Sequence, residues 1–292
     1  MCRLFGLSAA PRRVHATFWL MDAPDSLAEQ SRRMPDGTGL GTFTEGGEPR
    51  VEKQPLAAYE DAQFAVEAKS RESSTFVAHV RFATTGDKQS KNTHPFLQKG
   101  RMFAHNGVIE DLVALDAQLG AYRDLVVGDT DSERFFALIT KYIDEHAGDV
   151  TAGVVAATQW IASNLPLLSL NFVLTSPKEL WALRYPSTHH LLFLERQAGG
   201  TSGKRQLHHA SGASTIRVRS AHLAHHSSVI VASEQMDEDP GWSPLQSGEL
   251  LHVSGDLEVS RRMILDQPPA RPLSLRDLDE TSAAAQAHAW PE

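Results

Sequence analysis

The sequence predicts an α+β fold in which two mostly antiparallel β-sheets stack face to face and helices cover their outer sides. Three observations lead to this prediction. Segments typical of strands lie towards both ends of the chain, and two long helical patterns lie between them. The chain lacks the glycine-rich loops of nucleotide-binding α/β folds. Its 292 residues, 41% of them hydrophobic, provide ample material for a core.

The N-terminal third alternates short strands with short helices. Apolar and β-branched residues cluster in the segments predicted as strands, which are residues 3–10, 39–43 and 75–83. Helical spacing is found at residues 27–34 and 60–69. Residues 84–98 are polar and contain glycine, asparagine and proline, so we expect a loop there.

The middle of the chain contains a predicted hairpin and the two long helices. Residues 102–109 favour a strand, a turn at Asn106-Gly107 and the start of a second strand. The first long helix is expected to begin near Thr130, because a capping residue is followed there by the acidic Asp131 and Glu133. Residues 150–164 form the second helix.

The C-terminal part consists of further strands and a tail. The predicted strands are residues 170–175, 179–185, 190–194, 228–233 and 249–253. Residues 197–205 are rich in glycine, which favours a mobile loop. We therefore expect one folded domain over residues 2–253, and a tail over residues 254–292 that packs weakly or is partly disordered.

Composition excludes several classes of function. The net charge of -8 provides no basic excess for binding nucleic acid. No apolar run approaches the ~20 residues that cross a membrane, and the N-terminus does not resemble a signal peptide. The single cysteine, Cys2, excludes an internal disulfide, so we expect a cytoplasmic protein. No cofactor or metal site is expected.

Cys2 directly follows the initiator methionine. Removal of Met1 would leave a thiol and a free α-amine on one residue. An α-amine has a pKa of about 7.7–8.0, so a neutral fraction is available as a base for the thiol. Position alone favours an accidental cysteine, and a catalytic interpretation needs support from other segments.

Four residues provide chemistry that suits such a thiol. The side-chain amide of Asn106 and the backbone N–H of Gly107 are donors for an oxyanion. Arg81 at a strand end suits a carboxylate, and Asp131 at a helix N-terminus suits an ammonium group. Each has a structural alternative: a plain hairpin turn for Asn106-Gly107, a surface ion pair for Arg81 and a helix cap for Asp131.

Taken together, these motifs resemble the class II (N-terminal nucleophile) glutamine amidotransferases. The resemblance rests on Met1-Cys2 with Gly6, Arg81 to Thr84, His105-Asn106-Gly107 and Thr130-Asp131. It implies a four-layer αββα sandwich of the N-terminal nucleophile hydrolase type. It also implies roles: Cys2 as the nucleophile with its own α-amine as the base, Asn106 and Gly107 as the oxyanion hole, and Arg81 and Asp131 as ligands of a γ-glutamyl group.

Further segments are similar to the stand-alone branch of that family, which includes the γ-glutamyl amidohydrolase of the ergothioneine pathway and glutathione-degradation proteins. Among these segments are Cys2-Arg3-Leu4-Phe5-Gly6, Asn92 to Phe96 and Val231-Ala232-Ser233-Glu234. The leading hypothesis is an amidohydrolase that releases glutamate from glutamine or another γ-glutamyl amide. The alternatives are a glutaminase subunit that passes ammonia to a separate synthase, and a silent regulatory module that binds γ-glutamyl groups.

Overall fold

The structure is a computed structural model, and it describes residues 2–82, 89–198, 208–210, 217–219, 225–280 and 282–283. The glycine-rich segment predicted as a mobile loop lies outside the described residues from residue 199 onwards. The helices are α1 (Leu27–Gln30), α2 (Ala62–Ser70), α3 (Leu112–Leu119), α4 (Asp131–Glu145) and α5 (Val150–Asn164).

The strands lie before, between and after these helices. They are β1 (Arg3–Ser8), β2 (Val14–His15), β3 (Gly37–Phe43), β4 (Pro49–Gln54), β5 (Glu72–Ser73), β6 (Thr75–Arg81), β7 (Phe96–Gln98), β8 (Arg101–Ile109), β9 (Pro166–Thr175), β10 (Leu180–Arg184), β11 (Leu192–Arg196), β12 (His208–Ala210), β13 (Arg217–Arg219), β14 (Ser228–Ala232), β15 (Ser243–Pro244), β16 (Glu249–Val253), β17 (Val259–Met263) and β18 (Arg271–Pro272).

Most of these strands form two large sheets. The first sheet has the order β15-β11-β14-β1-β6-β3-β4, and all of its pairs are antiparallel. The second has the order β17-β16-β10-β9-β8-β7, and β18 joins β9 in parallel. The N-terminal strand β1 therefore lies in the middle of its sheet, with β14 on one side and β6 on the other.

Alternation along the strands divides the interior into three cores and four layers. In β1, Leu4 packs between the two sheets, whereas its neighbour Phe5 packs on the opposite, helix-covered face. Phe64 of α2 belongs to that outer core, and Phe135 of α4 and Val154 of α5 belong to the core outside the second sheet. The predicted αββα sandwich is confirmed.

The two long helices begin where the sequence predicts. The Thr130 side chain accepts a hydrogen bond from the Glu133 backbone N–H at 3.2 Å, which caps α4. Asp149 caps α5 by accepting from the Ala152 N–H at 2.9 Å. A buried strip of α4 faces the second sheet, so the start of α4 has a fixed position relative to β8.

The predicted turn at Asn106-Gly107 is wrong. Strand β8 runs through both residues without interruption, and Asn106 pairs with Asn171 of β9. The hairpin turn lies earlier, at Lys99 and Gly100, whose φ angles of 44° and 74° suit a tight two-residue connection between β7 and β8. Long pairing with β9 keeps Asn106-Gly107 extended, and this pairing is invisible to local turn preferences.

The second sheet extends past Val253, beyond the domain boundary expected from the sequence. Strand β17 pairs with β16, and β18 pairs with the start of β9. The residues of β17 are mostly exposed, which fits an edge strand that carries Arg261 and Arg262. The tail prediction overlooked these pairings, because charged edge strands lack the apolar alternation of buried ones.

Within the described residues, none of the helices is both long and apolar enough to cross a membrane.

Candidate active site

Cys2 lies at the open end of the first sheet, immediately before β1. The Phe82 backbone N–H donates a hydrogen bond to its Sγ at 3.3 Å. Phe82 follows β6, which pairs antiparallel with β1. The start of β1 and the end of β6 therefore lie together at the Cys2 thiol. Cys2 alternates with Leu4 and therefore faces the space between the sheets. The thiol is half-buried.

Asn106 reaches Cys2 from the opposite sheet. Its Nδ2 donates a hydrogen bond to the Cys2 carbonyl oxygen at 2.9 Å, although 104 residues separate the two in sequence. Asn106 is 1% exposed. A side-chain amide carries two N–H groups, so the second is available to a group bound next to the thiol. The structure thus brings together two of the residues that the sequence singled out.

Gly107 is required by a close approach between neighbouring strands. A Cβ atom at this position would lie 1.9 Å from the Ser169 carbonyl oxygen of β9 and 2.6 Å from Nε2 of His105. Both distances are far below normal contact. The glycine therefore lets β8 approach β9 at the point where Asn106 projects towards Cys2.

We expect Gly107→Ala to lower the free energy of unfolding by about 3 kcal/mol, because the methyl group would have to displace the β9 backbone. Urea denaturation measures this loss. Gly46→Ala is the matched control, since a Cβ there comes no closer than 3.8 Å to Thr44. The control should change stability by less than about 0.5 kcal/mol. Equal effects of the two substitutions would contradict the packing argument.

Arg81 is the last residue of β6 and lies across the ladder from the start of β1. It is 4% exposed, and burial lowers the pKa of its guanidinium, while Cys2 and Asp36 act in the opposite direction. Arginine stays protonated in proteins at neutral pH. The buried positive charge of Arg81 therefore acts electrostatically on the Cys2 thiol.

Asp131 is tied to the strand that carries Asn106. It is the first residue of α4, and its Oδ2 accepts a hydrogen bond from the Ile109 N–H of β8 at 2.9 Å. Its Oδ1 accepts from the Ser132 N–H at 2.8 Å. Oδ1 also lies 3.3 Å from the Ser132 hydroxyl, so Oδ2 is the oxygen that can accept a further bond, and a helix N-terminus favours negative charge. The cap of α4 is Thr130, as predicted, so Asp131 is not the helix cap that its structural alternative proposed, and it fastens α4 to β8.

The thiol is not activated by its surroundings alone. Burial raises the pKa of Cys2, while the Phe82 N–H, the N-terminal ammonium group, Arg81 and Arg3 oppose this rise. Burial prevails, so the thiol is mostly protonated near neutral pH. Attack by Cys2 on a substrate therefore needs a base that removes this proton.

Three buried histidines lie near these strands and are neutral at pH 7. Burial, reinforced by Arg81 and His105, lowers the pKa of His79 to about 3. Burial also lowers the pKa of His94, whose ring centroid lies 4.2 Å from that of His79, and the pKa of His105. His105 interacts with the Ser132 hydroxyl at 2.9 Å and with the Ser169 carbonyl at 3.1 Å. It braces β8 against α4 and β9.

We expect acid to destabilise the fold through His79. Because the pKa of His79 lies below the ordinary value of 6.5, unfolding takes up a proton between pH 6.5 and about 3. The stability that neutral His79 contributes to the fold is complete above pH 6.5. It is lost as the pH falls from 6.5 to about 3, at about 1.4 kcal/mol per pH unit.

Thermal unfolding at several pH values measures this loss. His79→Asn should have a shallower dependence of stability on pH than the unmodified protein. His146→Asn, at an exposed position after α4, should leave the dependence unchanged. A His79 variant with the original slope would contradict the assignment.

Some features of the site carry no signal in the sequence. The Phe82 N–H is a backbone donor, which any residue provides. The pairing of Arg3 with Glu234 joins segments far apart in the chain. Residues 83–88, which include Thr84 of the Arg81 to Thr84 motif, lie outside the described residues. Within the described part, no group of three or more His, Cys, Asp or Glu side chains is placed to hold a metal ion.

Comparison with known proteins agrees with the resemblance found in the sequence motifs. The family model for class-II glutamine amidotransferases matches residues 1–272. YafJ of Escherichia coli is 31% identical over 170 residues, 56% of this chain and 63% of YafJ, so the chain spans less than two thirds of that relative. The gamma-glutamyl-hercynylcysteine sulfoxide hydrolase of Mycobacterium tuberculosis is 28% identical over 264 residues, 87% of this chain and 93% of that protein.

A solved structure has the same fold. The glutamine phosphoribosylpyrophosphate amidotransferase of B. subtilis superimposes with a TM-score of 0.61 and 17% identity, over 91% of this chain and 50% of that one. At this identity the likeness concerns the fold alone. It is the sandwich of N-terminal nucleophile hydrolases, as the sequence motifs implied.

Proposed function

This chain belongs to the class II glutamine amidotransferases, and from that premise we propose that it hydrolyses the γ-amide of glutamine or of another γ-glutamyl compound and releases glutamate. One observation carries the proposal. The Asn106 amide nitrogen lies 2.9 Å from the carbonyl oxygen of Cys2, which supports a role as oxyanion donor beside the residue that removal of Met1 would place first. Packing of the two sheets against each other does not by itself require a hydrogen-bond donor next to Cys2.

The proposed reaction begins with the removal of Met1. The neutral α-amine of Cys2 then takes the thiol proton, and Sγ attacks the γ-carbonyl carbon of the substrate. The oxyanion that forms is stabilised by the second N–H of Asn106 and by the N–H of Gly107. Collapse breaks the C–N bond, and the ammonium proton goes to the leaving amine. Water then attacks the γ-glutamyl thioester, releasing glutamate and restoring the thiol.

The two ionic residues are proposed to bind the amino-acid end of the substrate. The guanidinium of Arg81 suits the α-carboxylate, since its planar fork can donate two parallel hydrogen bonds. The remaining lone pair on Oδ2 of Asp131 suits the α-ammonium. Both residues are at most 5% exposed, so their charges are only weakly screened by water. Opposite charges at the two positions select an α-amino acid over a simple amide.

The hydrolase assignment draws support from the relative matched along most of its length. The alignment with the hercynylcysteine sulfoxide hydrolase covers 93% of that protein, so the aligned part contains nearly all that its activity needs. The name of that relative describes a γ-glutamyl compound. We therefore propose hydrolysis of a γ-glutamyl amide over ammonia transfer to a synthase.

The decisive experiment measures glutamate release by the purified chain, without Met1, from glutamine and a panel of γ-glutamyl amides. Asparagine serves as a control in which the side-chain amide is misplaced. The α-glutamyl amides serve as controls in which the amino-acid end is altered. Release from a γ-glutamyl substrate by the chain alone supports the proposal. Release only in the presence of a co-purified synthase favours an ammonia-supplying subunit. Binding without release favours the silent regulatory module.

A further inference from the structure

Two residues that have no role in the proposed reaction lie side by side next to Cys2. One is Arg3, which follows Cys2, and the other is Glu234, which follows β14. Arg3 is 2% exposed. Its Nη1 lies 3.4 Å from the Cys2 carbonyl oxygen, as a hydrogen-bond donor, and its Nη2 pairs with Oε1 of Glu234.

The backbone gives Glu234 a fixed place beside the N-terminus. The ladder between β14 and β1 continues past the end of β14, where the Ser233 N–H donates to the Leu4 carbonyl at 3.1 Å. The Leu4 N–H in turn donates to the Ser233 hydroxyl at 3.0 Å. Glu234 therefore follows directly on a residue that is bonded twice to β1.

Glu234 is also held from its outer side. Its Oε2 lies 3.1 Å from Nη2 of Arg33, and the same nitrogen lies 3.3 Å from Oδ1 of Asp25. Burial raises the pKa of Asp25 to about 6, with Arg33 opposing this rise and Glu234 adding to it. The carboxylate of Glu234 thus bridges a buried arginine and a more exposed one.

A buried ion pair is a poor way to gain stability, because desolvation of both charges offsets their attraction. The side chains of Arg3 and Glu234 are 3% and 17% exposed, so this cost applies to them. The pair has a direct geometric consequence, however. The Cys2 carbonyl oxygen accepts from Asn106 of the second sheet and from Arg3 of its own sheet, and these two donors hold the nucleophile's backbone.

We propose that Glu234 is a positioning residue for the nucleophile. It holds the guanidinium of Arg3, and Arg3 with Asn106 fixes the carbonyl of Cys2, so that Sγ stays aligned with the oxyanion donors. The inference rests on the proposed function, since alignment matters only if Cys2 attacks a substrate. It assigns a task to the Val231 to Glu234 segment, which lies outside the substrate-binding and oxyanion residues.

Glu234→Gln tests the inference, because it keeps the shape of the side chain and removes its charge. We expect kcat for the preferred γ-glutamyl substrate to fall about ten- to hundredfold while KM changes less than about threefold, since misplacement of a reacting group acts on the chemical step. The pH profile of Cys2 alkylation by iodoacetamide should also move to lower pH. Arg3 opposes the rise in the pKa of the thiol that burial causes, and Glu234→Gln would remove a negative charge next to Arg3.

Two further variants complete the design. Arg3→Lys keeps the positive charge but not the planar fork, and it should show a similar loss in kcat. Glu29→Gln removes an exposed carboxylate that pairs with Arg32 at 2.9 Å, and it should leave kcat, KM and the alkylation profile unchanged. A purely structural pair would lower the melting temperature of Glu234→Gln without changing kcat, whereas the alkylation profile would shift in either case because the charge next to Arg3 is lost.

An unchanged kcat in Glu234→Gln would overturn the inference. Cys2→Ala, measured in parallel, separates this failure from that of the function. If Cys2→Ala is inactive while Glu234→Gln is fully active, only the positioning role is refuted. If Cys2→Ala retains glutamate release, the proposed function is refuted and the positioning role falls with it.

Discussion

Cys2→Ala is expected to abolish glutamate release from every γ-glutamyl substrate, with a loss in kcat of about a thousandfold or more. No other thiol can take its place, because Cys2 is the only cysteine of the chain. The fold should persist. The hydrogen bonds of the thiol go to the backbone of Phe82, and the Cys2 carbonyl that binds Asn106 is kept in alanine.

Glutamate release and thermal unfolding together measure this result. The melting temperature should change by only a few degrees, as expected of a half-buried site. The N-terminal mass of both proteins has to show that Met1 is absent, because a retained methionine blocks the α-amine and would inactivate either one. A variant that releases glutamate at the unmodified rate would refute attack by Cys2.

Asn106→Ala is expected to lower kcat about 10²- to 10³-fold, the usual cost of losing one oxyanion donor. KM should change little, because the proposed contacts of Asn106 form with the developing charge, whereas Arg81 and Asp131 are proposed to bind the ground-state substrate. The substitution also removes the 2.9 Å bond to the Cys2 carbonyl, so part of the loss reflects a less ordered nucleophile.

Steady-state kinetics with the preferred substrate separates these effects. Asn164→Ala is the control, since Asn164 lies at the exposed end of α5 and donates to the Trp160 carbonyl at 2.7 Å. It should have unchanged kinetics. A rise in KM with an unchanged kcat in Asn106→Ala would show that Asn106 binds the substrate and does not stabilise the oxyanion.

Local patterns predicted the elements whose causes are local. Helix α4 begins at Thr130 because a capping side chain and an apolar stripe are both encoded within one stretch. Helix α5 matches its predicted range of 150–164. Strand β9 was predicted from residue 170 and begins at Pro166, because its first residues pair with β8 and β18, whose partnership no local pattern reports.

The error at Asn106-Gly107 has the same origin. An asparagine followed by glycine favours a tight turn in isolation, but β8 is paired with β9 from Met102 to Ile109. The glycine serves a different purpose, which is the approach of the Ser169 carbonyl to its Cα. Helix α3 was missed altogether, and its N-cap Asp111 adopts a left-handed conformation with φ of 59° that helix patterns do not anticipate.

The side chains that could carry the chemistry are readable from the sequence: a cysteine that removal of Met1 would place first, an amide, an arginine at a strand end and an aspartate at a helix start. The alternation that makes two sheets stack is readable there too. The folded structure adds that Arg81 is buried, that Asn106 meets the Cys2 carbonyl, that Asp131 fastens α4 to β8, and that Glu234 holds Arg3. The physical reason is that these contacts join distant strands, and their geometry depends on sheet order and register, which side-chain patterns along one strand do not encode.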